Sequence, residues 1–232
     1  MNGYSRALIT VVAVAGIAAV YVAGYARVVP LPHVVTNTDR SSSPLYRSRL
    51  DFFVQSDHPA ELVFVGDSIT QFGEWSELFP EYRTANRGIA GDNTRTLSDR
   101  LAALGDLSQS TVVLMIGIND VLAFEAATPE IIARYEAVLK DLMSRARTVV
   151  VQSILPVAAP QNIEINGSVS ALNEATKRFC QENCTYLDLA ALRTANGALR
   201  SDVTFDGLHL NGTGYLEWAG ALRRHLTTRQ GG

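Results

Sequence analysis

Glu61-Leu62-Val63-Phe64-Val65-Gly66-Asp67-Ser68-Ile69-Thr70 is the stretch from which the fold can be read. Leu62 to Val65 is a short apolar run with β-branched residues, the pattern of a strand buried on both faces of a parallel sheet. Gly66, directly after it, permits a sharp turn of the backbone. Asp67 and Ser68 then stand where a helix begins. A hydroxyl at that point faces free N–H groups and the positive end of the helix dipole, where developing negative charge is stabilised. Ser68 is therefore a candidate nucleophile. The plainer reading is that it only caps the helix.

Outward from this stretch, strand and helix alternate. Strands are expected from Leu62 to Val65, around Tyr82 to Asn86, from Thr111 to Ile116, from Thr148 to Ser153 and from Tyr186 to Leu189. Helices are expected from Pro44 to about Gln55, from about Thr94 to Leu104, from Pro129 to Arg145, from about Val169 to Glu182, and from Gly212 to about Leu226. Pro44 suits a first helical turn, with Ser43 before it. Ile131, Ile132, Tyr135, Val138, Leu139 and Leu142 recur at helical spacing. Regular βα alternation implies an α/β fold, a parallel sheet with helices on both faces. In such sheets sites form at the carboxyl ends of the strands. There is no internal repeat and no sign of a second folded domain.

The remaining bounds are broad. The chain has 232 residues, enough for one domain with a sizeable core. Its net charge of −3 and the lack of a basic stripe interleaved with aromatics give no nucleic-acid signal. Cys180 and Cys184 fit either a disulfide across a helix end or two reduced thiols, and no Cys/His cluster has zinc spacing. Ala7 to Ala26 carries no charged residue and is long enough to cross a bilayer, which takes ~20 residues. Residues 1–27 are thus expected to form an N-terminal transmembrane anchor. A cleaved signal peptide is the rival, since Gly24-Tyr25-Ala26 is a small-x-small pattern. Residues 28–43, with Pro30, Pro32 and a Ser/Thr/Asn-rich run, read as a linker, and 44–232 as the folded domain. The anchor would put this domain in the periplasm or otherwise outside the cytoplasm, or secrete it if the segment is cleaved.

The loops after the expected strands each hold one group that acyl transfer needs. After the first comes Asp67-Ser68, and after the second Asn86-Arg87-Gly88-Ile89-Ala90-Gly91-Asp92. After the third comes Gly117-Ile118-Asn119-Asp120, and before the final helix Asp206-Gly207-Leu208-His209. A serine needs a base. His209 is the plausible one, since His33 lies in the linker, His58 before the first strand and His225 in the last helix. Asp206, three residues earlier, is placed to hold the imidazole tautomer. The Ser68 N–H, the Gly88 N–H and the Asn119 amide are candidate oxyanion donors.

These four blocks, in this order, resemble the SGNH or GDSL-type hydrolase superfamily, over Leu45 to about Leu226. Trp75-Ser76-Glu77-Leu78-Phe79 and Asn86 to Thr94 resemble its platelet-activating-factor acetylhydrolase-like branch. The resemblance implies a flavodoxin-like three-layer α/β/α sandwich with a five-stranded parallel sheet. It implies Ser68 as nucleophile, His209 as base, Asp206 as its partner, and Gly88 and Asn119 as oxyanion donors. The branch often removes short acyl groups such as acetyl. Ser68 does not sit in a Gly-x-Ser-x-Gly elbow, so the α/β-hydrolase pattern fits poorly.

The expected activity is hydrolysis of a carboxylic ester, with no metal or organic cofactor. An O-acetylated glycan, a lipid and an acylated small molecule are all open as substrates, and so are lysophospholipids and thioesters. Val121, Leu122, Phe124 and Pro156 are the expected pocket walls. A binding module that keeps the pocket without the reaction is a second reading. A metal-dependent phosphohydrolase using Asp67, Asp92 and Asp120 is a third.

Overall fold

Each predicted strand appears within two residues of its expected start, and all five pair in parallel. The computed structural model describes residues 43–56, 58–123, 128–158 and 163–230. These lie in one compact unit, Asn37–Gly232. The expected anchor at 1–27, the linker up to 42 and Phe124 lie outside the described residues. Among the described residues no helix is long and apolar enough to cross a membrane.

The elements are α1 (Pro44–Gln55), β1 (Leu62–Gly66), α2 (Ser68–Gln71), α3 (Trp75–Leu78), β2 (Thr84–Gly88), α4 (Thr94–Asp99), β3 (Thr111–Met115), α5 (Ile118–Leu122), α6 (Pro129–Arg145), β4 (Thr148–Gln152), α7 (Ile163–Asn183), β5 (Thr185–Leu187) and α8 (Gly212–Gln230). Short 3₁₀ turns lie at Leu101–Leu104, Ala190–Leu192 and Ser201–Val203. The strand order is β2-β1-β3-β4-β5, that of flavodoxin-like doubly wound sheets. Crossovers are right-handed, so the three steps from β2 to β5 lay α4, α6 and α7 side by side on one face. The single reverse step from β1 to β2 places α2 and α3 on the other, where α8 joins them.

Residue chemistry explains the layers. The strands β1 and β3 are buried throughout, as central strands covered on both faces must be. Thr128 caps α6, its hydroxyl accepting from the Ile131 N–H at 3.3 Å, and Pro129 fills the first turn. The buried face of α6 is Ile131, Tyr135, Val138, Leu139 and Leu142. On the opposite face Trp75 stacks on Phe64 at 4.0 Å and meets Trp218 of α8 edge-on at 4.7 Å. The Tyr215 hydroxyl donates to the Ile69 carbonyl at 2.7 Å, tying α8 to α2. Cys180 and Cys184 form a disulfide across the end of α7, near the amino end of β5.

Candidate active site

The two glycines that close β1 and β2 let α2 lie against the sheet. Gly66 pairs with Gly88 in register. A Cβ on Gly66 would stand 2.2 Å from the Met115 carbonyl oxygen and 2.2 Å from Thr70 Oγ1. A Cβ on Gly88 would stand 2.5 Å from the Gln71 nitrogen and 2.9 Å from the Asp67 oxygen. With both side chains absent, the four-residue helix α2 seats directly on the strand ends.

Asp67, and not Ser68, caps this helix: its Oδ1 accepts from the Ile69 N–H at 2.9 Å. The Ser68 hydroxyl points elsewhere. Ser68 Oγ lies 2.9 Å from His209 Nε2, and His209 Nδ1 lies 2.6 Å from Asp206 Oδ2. The other Asp206 oxygen accepts from the backbone N–H groups of Leu208 at 2.9 Å and His209 at 2.7 Å. Partial burial works against the Asp206 charge. The hydrogen bonds from the His209 ring and these two N–H groups outweigh it and hold the carboxyl below its ordinary value. Asp206 is thus a carboxylate at neutral pH, set to fix the imidazole tautomer.

The loop carrying this pair is closed on itself. Thr204 and Leu210 form an antiparallel bridge, and Thr204 Oγ1 donates to the His209 carbonyl at 2.5 Å while accepting from the Gly207 N–H at 3.0 Å. The Ala158 N–H donates to the Gly207 carbonyl at 2.7 Å, docking the loop on the segment that follows β4. Gly207 has φ +86°, which a residue with a side chain adopts only under strain. The rings of Phe72 and Phe205 flank His209 at 5.3 and 5.9 Å, and they are 46% and 67% exposed.

The expected oxyanion donors gather at the same strand ends. Ser68 is the first residue of α2, where backbone N–H groups have no partner within the helix. Asn119 Nδ2 donates to the Asp92 carbonyl at 2.8 Å, which orients the amide. The Gly88 N–H donates to Asn86 Oδ1 at 3.0 Å. Asn86 was not singled out by sequence, yet it is central. Its Nδ2 donates to the carbonyls of Thr70, Gln71 and Gly73 at 3.2, 2.9 and 3.1 Å, holding the far end of α2. Arg49 of α1, also unassigned, reaches the Asn86 Oδ1 at 3.0 Å and the Gly88 carbonyl. Three converging carbonyls leave no spacing signal in a sequence, so neither residue could be found that way.

The expected pocket walls fall in different places. Val121 is buried in the core and Leu122 packs partly against it. Pro156 is buried and lines a cavity of about 510 Å³ between α7 and the segment after β5, together with Tyr186, Lys177 and Arg193. No residue of the Ser68–His209–Asp206 chain lines it. The three acidic residues of the phosphohydrolase reading have protein partners. Asp67 caps α2, Asp92 pairs with Arg100 at 2.5 Å, and Asp120 accepts from the Thr94 N–H and hydroxyl at 2.9 and 2.6 Å. Among the described residues no group of three His, Cys, Asp or Glu side chains converges as a metal site requires.

Residues 64–216, which include Ser68, Asp206 and His209, match the GDSL-like lipase/acylhydrolase family. The chain belongs to that family. It is an ester hydrolase of the GDSL type. Platelet-activating factor acetylhydrolase IB subunit alpha2 of Rattus norvegicus is 28% identical over 199 residues, covering 80% of this chain and 84% of that protein. Subunit alpha1 of the same organism is 32% identical over 180 residues, covering 73% and 76%. Among solved structures, an acetylxylan esterase from Geobacillus stearothermophilus superposes with a TM-score of 0.57 at 19% identity, covering 71% of this chain and 93% of that one. This last likeness concerns the fold of the GDSL-like chain.

Proposed function

We propose that this GDSL-family enzyme is a serine esterase that removes short acyl groups through an acyl-enzyme. Ser68 Oγ attacks the ester carbonyl while His209 Nε2 takes its proton, and Asp206 stabilises the imidazolium. The alkoxide leaves with the proton from His209. Water, deprotonated by the same ring, then releases the acid and restores Ser68. The Ser68 N–H and the Asn119 amide hold the oxyanion, and the Gly88 N–H joins them by sharing its bond to Asn86. The observation that carries this reading is the unbroken chain from Ser68 through His209 to Asp206, at 2.9 and 2.6 Å.

A short acyl group is supported by the names of the relatives, which are acetylhydrolases. The fold neighbour is named an acetylxylan esterase, and so an acetylated carbohydrate stands beside an acetylated lipid as the substrate. The test is hydrolysis of p-nitrophenyl esters of rising acyl length by the full chain, beside Ser68→Ala. Serine-dependent rates that fall steeply beyond the shortest chains are expected. A maximum at long chains would replace this reading with a lysophospholipase or thioesterase. Turnover that survives in Ser68→Ala would remove the mechanism.

A further inference from the structure

Phe53 of α1 is surrounded by charge. The guanidinium carbons of Arg87, Arg49 and Arg100 lie 4.9, 5.2 and 5.7 Å from its ring centroid. Among the described residues, the carboxylate ion-paired within this group is Asp92, on Arg100. Arg49 is taken up by Gly88 and Asn86, and Arg100 by Asp92 and by the carbonyls of Gly66 and Arg87.

Arg87 is different. It is only 6% exposed. Among the described residues its guanidinium makes one hydrogen bond, a long one of 3.4 Å to the Ser56 carbonyl, and its Nε is buried with no partner there. A buried guanidinium normally has an anion or a full set of acceptors. The stacking on Phe53 supplies part of that compensation but no acceptor for the Nε proton.

The same side chain lines a cavity of about 130 Å³. Ser56, His58, Ala60 and Ser110 share its lining, which places it toward the amino ends of β1 and β3, away from the triad. His58 is exposed. Asp106 also lines the cavity, with its carboxylate accepting from the Ser108 N–H at 2.9 Å. A buried cation with no carboxylate paired to it among the described residues, an exposed imidazole and a space of this size together suit a small anion.

We propose that Arg87 and His58 form a binding site for a small oxyanion, a carboxylate or a phosphate group, separate from the active site. Arg87 supplies the charge at the cavity wall, and the exposed His58 closes the open side.

The test is thermal unfolding of the full chain titrated with sodium phosphate, and separately with sodium acetate, against chloride at matched ionic strength. One of the two should raise Tm saturably by several degrees at ~100-fold excess over Kd. A response to phosphate marks a phosphorylated ligand. A response to acetate marks a carboxylate, including the acid that the esterase would release. Arg87→Met should abolish the response. Should that variant fail to fold, His58→Ala decides, because an exposed residue leaves the fold intact. It should weaken the midpoint of the titration about fivefold, as loss of one charge-assisted contact does. Equal curves for chloride, phosphate and acetate would overturn the proposal, and so would a titration unchanged in His58→Ala.

Discussion

Ser68 owes its position to the residue before it. Asp67 takes the capping role and leaves the hydroxyl to His209. Replacing Ser68 by Ala should lower kcat by about three orders of magnitude or more, with Tm unchanged. Asp206→Asn should cost about 10²-fold, less than loss of Ser68, because the ring and its neighbours remain. Single-turnover rates of both variants check this. Asp67 itself should reveal its burial through pH. Burial pushes its carboxyl from an ordinary 3.8 up to about 7, against the pull of the Ile69 N–H and with help from Asp92 and Asp120. The protonated form is therefore favoured in the folded state. Its contribution to stability is complete below pH ~4 and drains away as pH rises toward ~7. At ~1.36 kcal/mol per pH unit the loss approaches ~4 kcal/mol. Asp67→Asn keeps an oxygen for the Ile69 cap and should flatten this decline in urea titrations run from pH 4 to 8. An equally steep decline in the variant would show that other groups cause it. The polar residues in strand-end loops were legible because each stands beside a turn signal. Asn86 and Arg49 were not, since their partners come from other elements.

At the scale of elements, the site depends on how closely α2 approaches β2. Gly88→Ala would drive a methyl to 2.5 Å from the Gln71 nitrogen, and backbone cannot give way as a side chain can. We expect a stability loss of about 1–3 kcal/mol. A kcat loss of about tenfold or more should go with it, as Ser68 Oγ shifts from His209. Chemical denaturation and steady-state rates on the same sample would separate the two. Gly167 is the opposite case. It lies inside α7, and a Cβ there would meet nothing within 4 Å. Gly167→Ala should therefore stabilise the chain by about 0.5–1 kcal/mol, read as a rise in the denaturation midpoint. The same glycine explains why α7 begins at Ile163 rather than near Val169: sequence treats Gly167 as a breaker, while the helix passes through it. Two other boundaries moved for local reasons. The helix expected from Thr94 to Leu104 stops at Asp99 and resumes as a 3₁₀ turn, with Arg100 between them, its side chain drawn inward to Asp92. Strand β2 runs to Gly88 because its polar Asn-Arg-Gly end pairs with β1, a contact that hydrophobic patterning does not register. By contrast, α1 runs from Pro44 to Gln55 as expected, with Pro44 in its first turn although the Ser43 side chain makes no cap bond, and α6 begins and ends where its Thr128 cap and apolar spacing put it.

For the whole molecule, alternation of strand and helix was enough to reach a parallel sheet covered on both faces, and the family resemblance implied the five-stranded form that is found. What sequence alone left open was which cavities that sheet would leave. Location is a separate matter, which a test of the anchor expected at residues 1–27 would decide. If that run is an anchor, the full chain should sediment with membranes and resist alkaline carbonate extraction. Recovery of a shortened soluble form would favour a cleaved signal. Finally, Trp75 and Trp218 are the two tryptophans of the chain, and their rings meet nearly at right angles at 4.7 Å. Chromophores that close exchange excitation, so their circular dichroism should show a coupled pair of opposite-signed bands. One indole belongs to the segment after Ser68 and the other to the final helix. The pair is therefore a built-in optical gauge, readable without any label, of whether the last helix is seated behind Ser68.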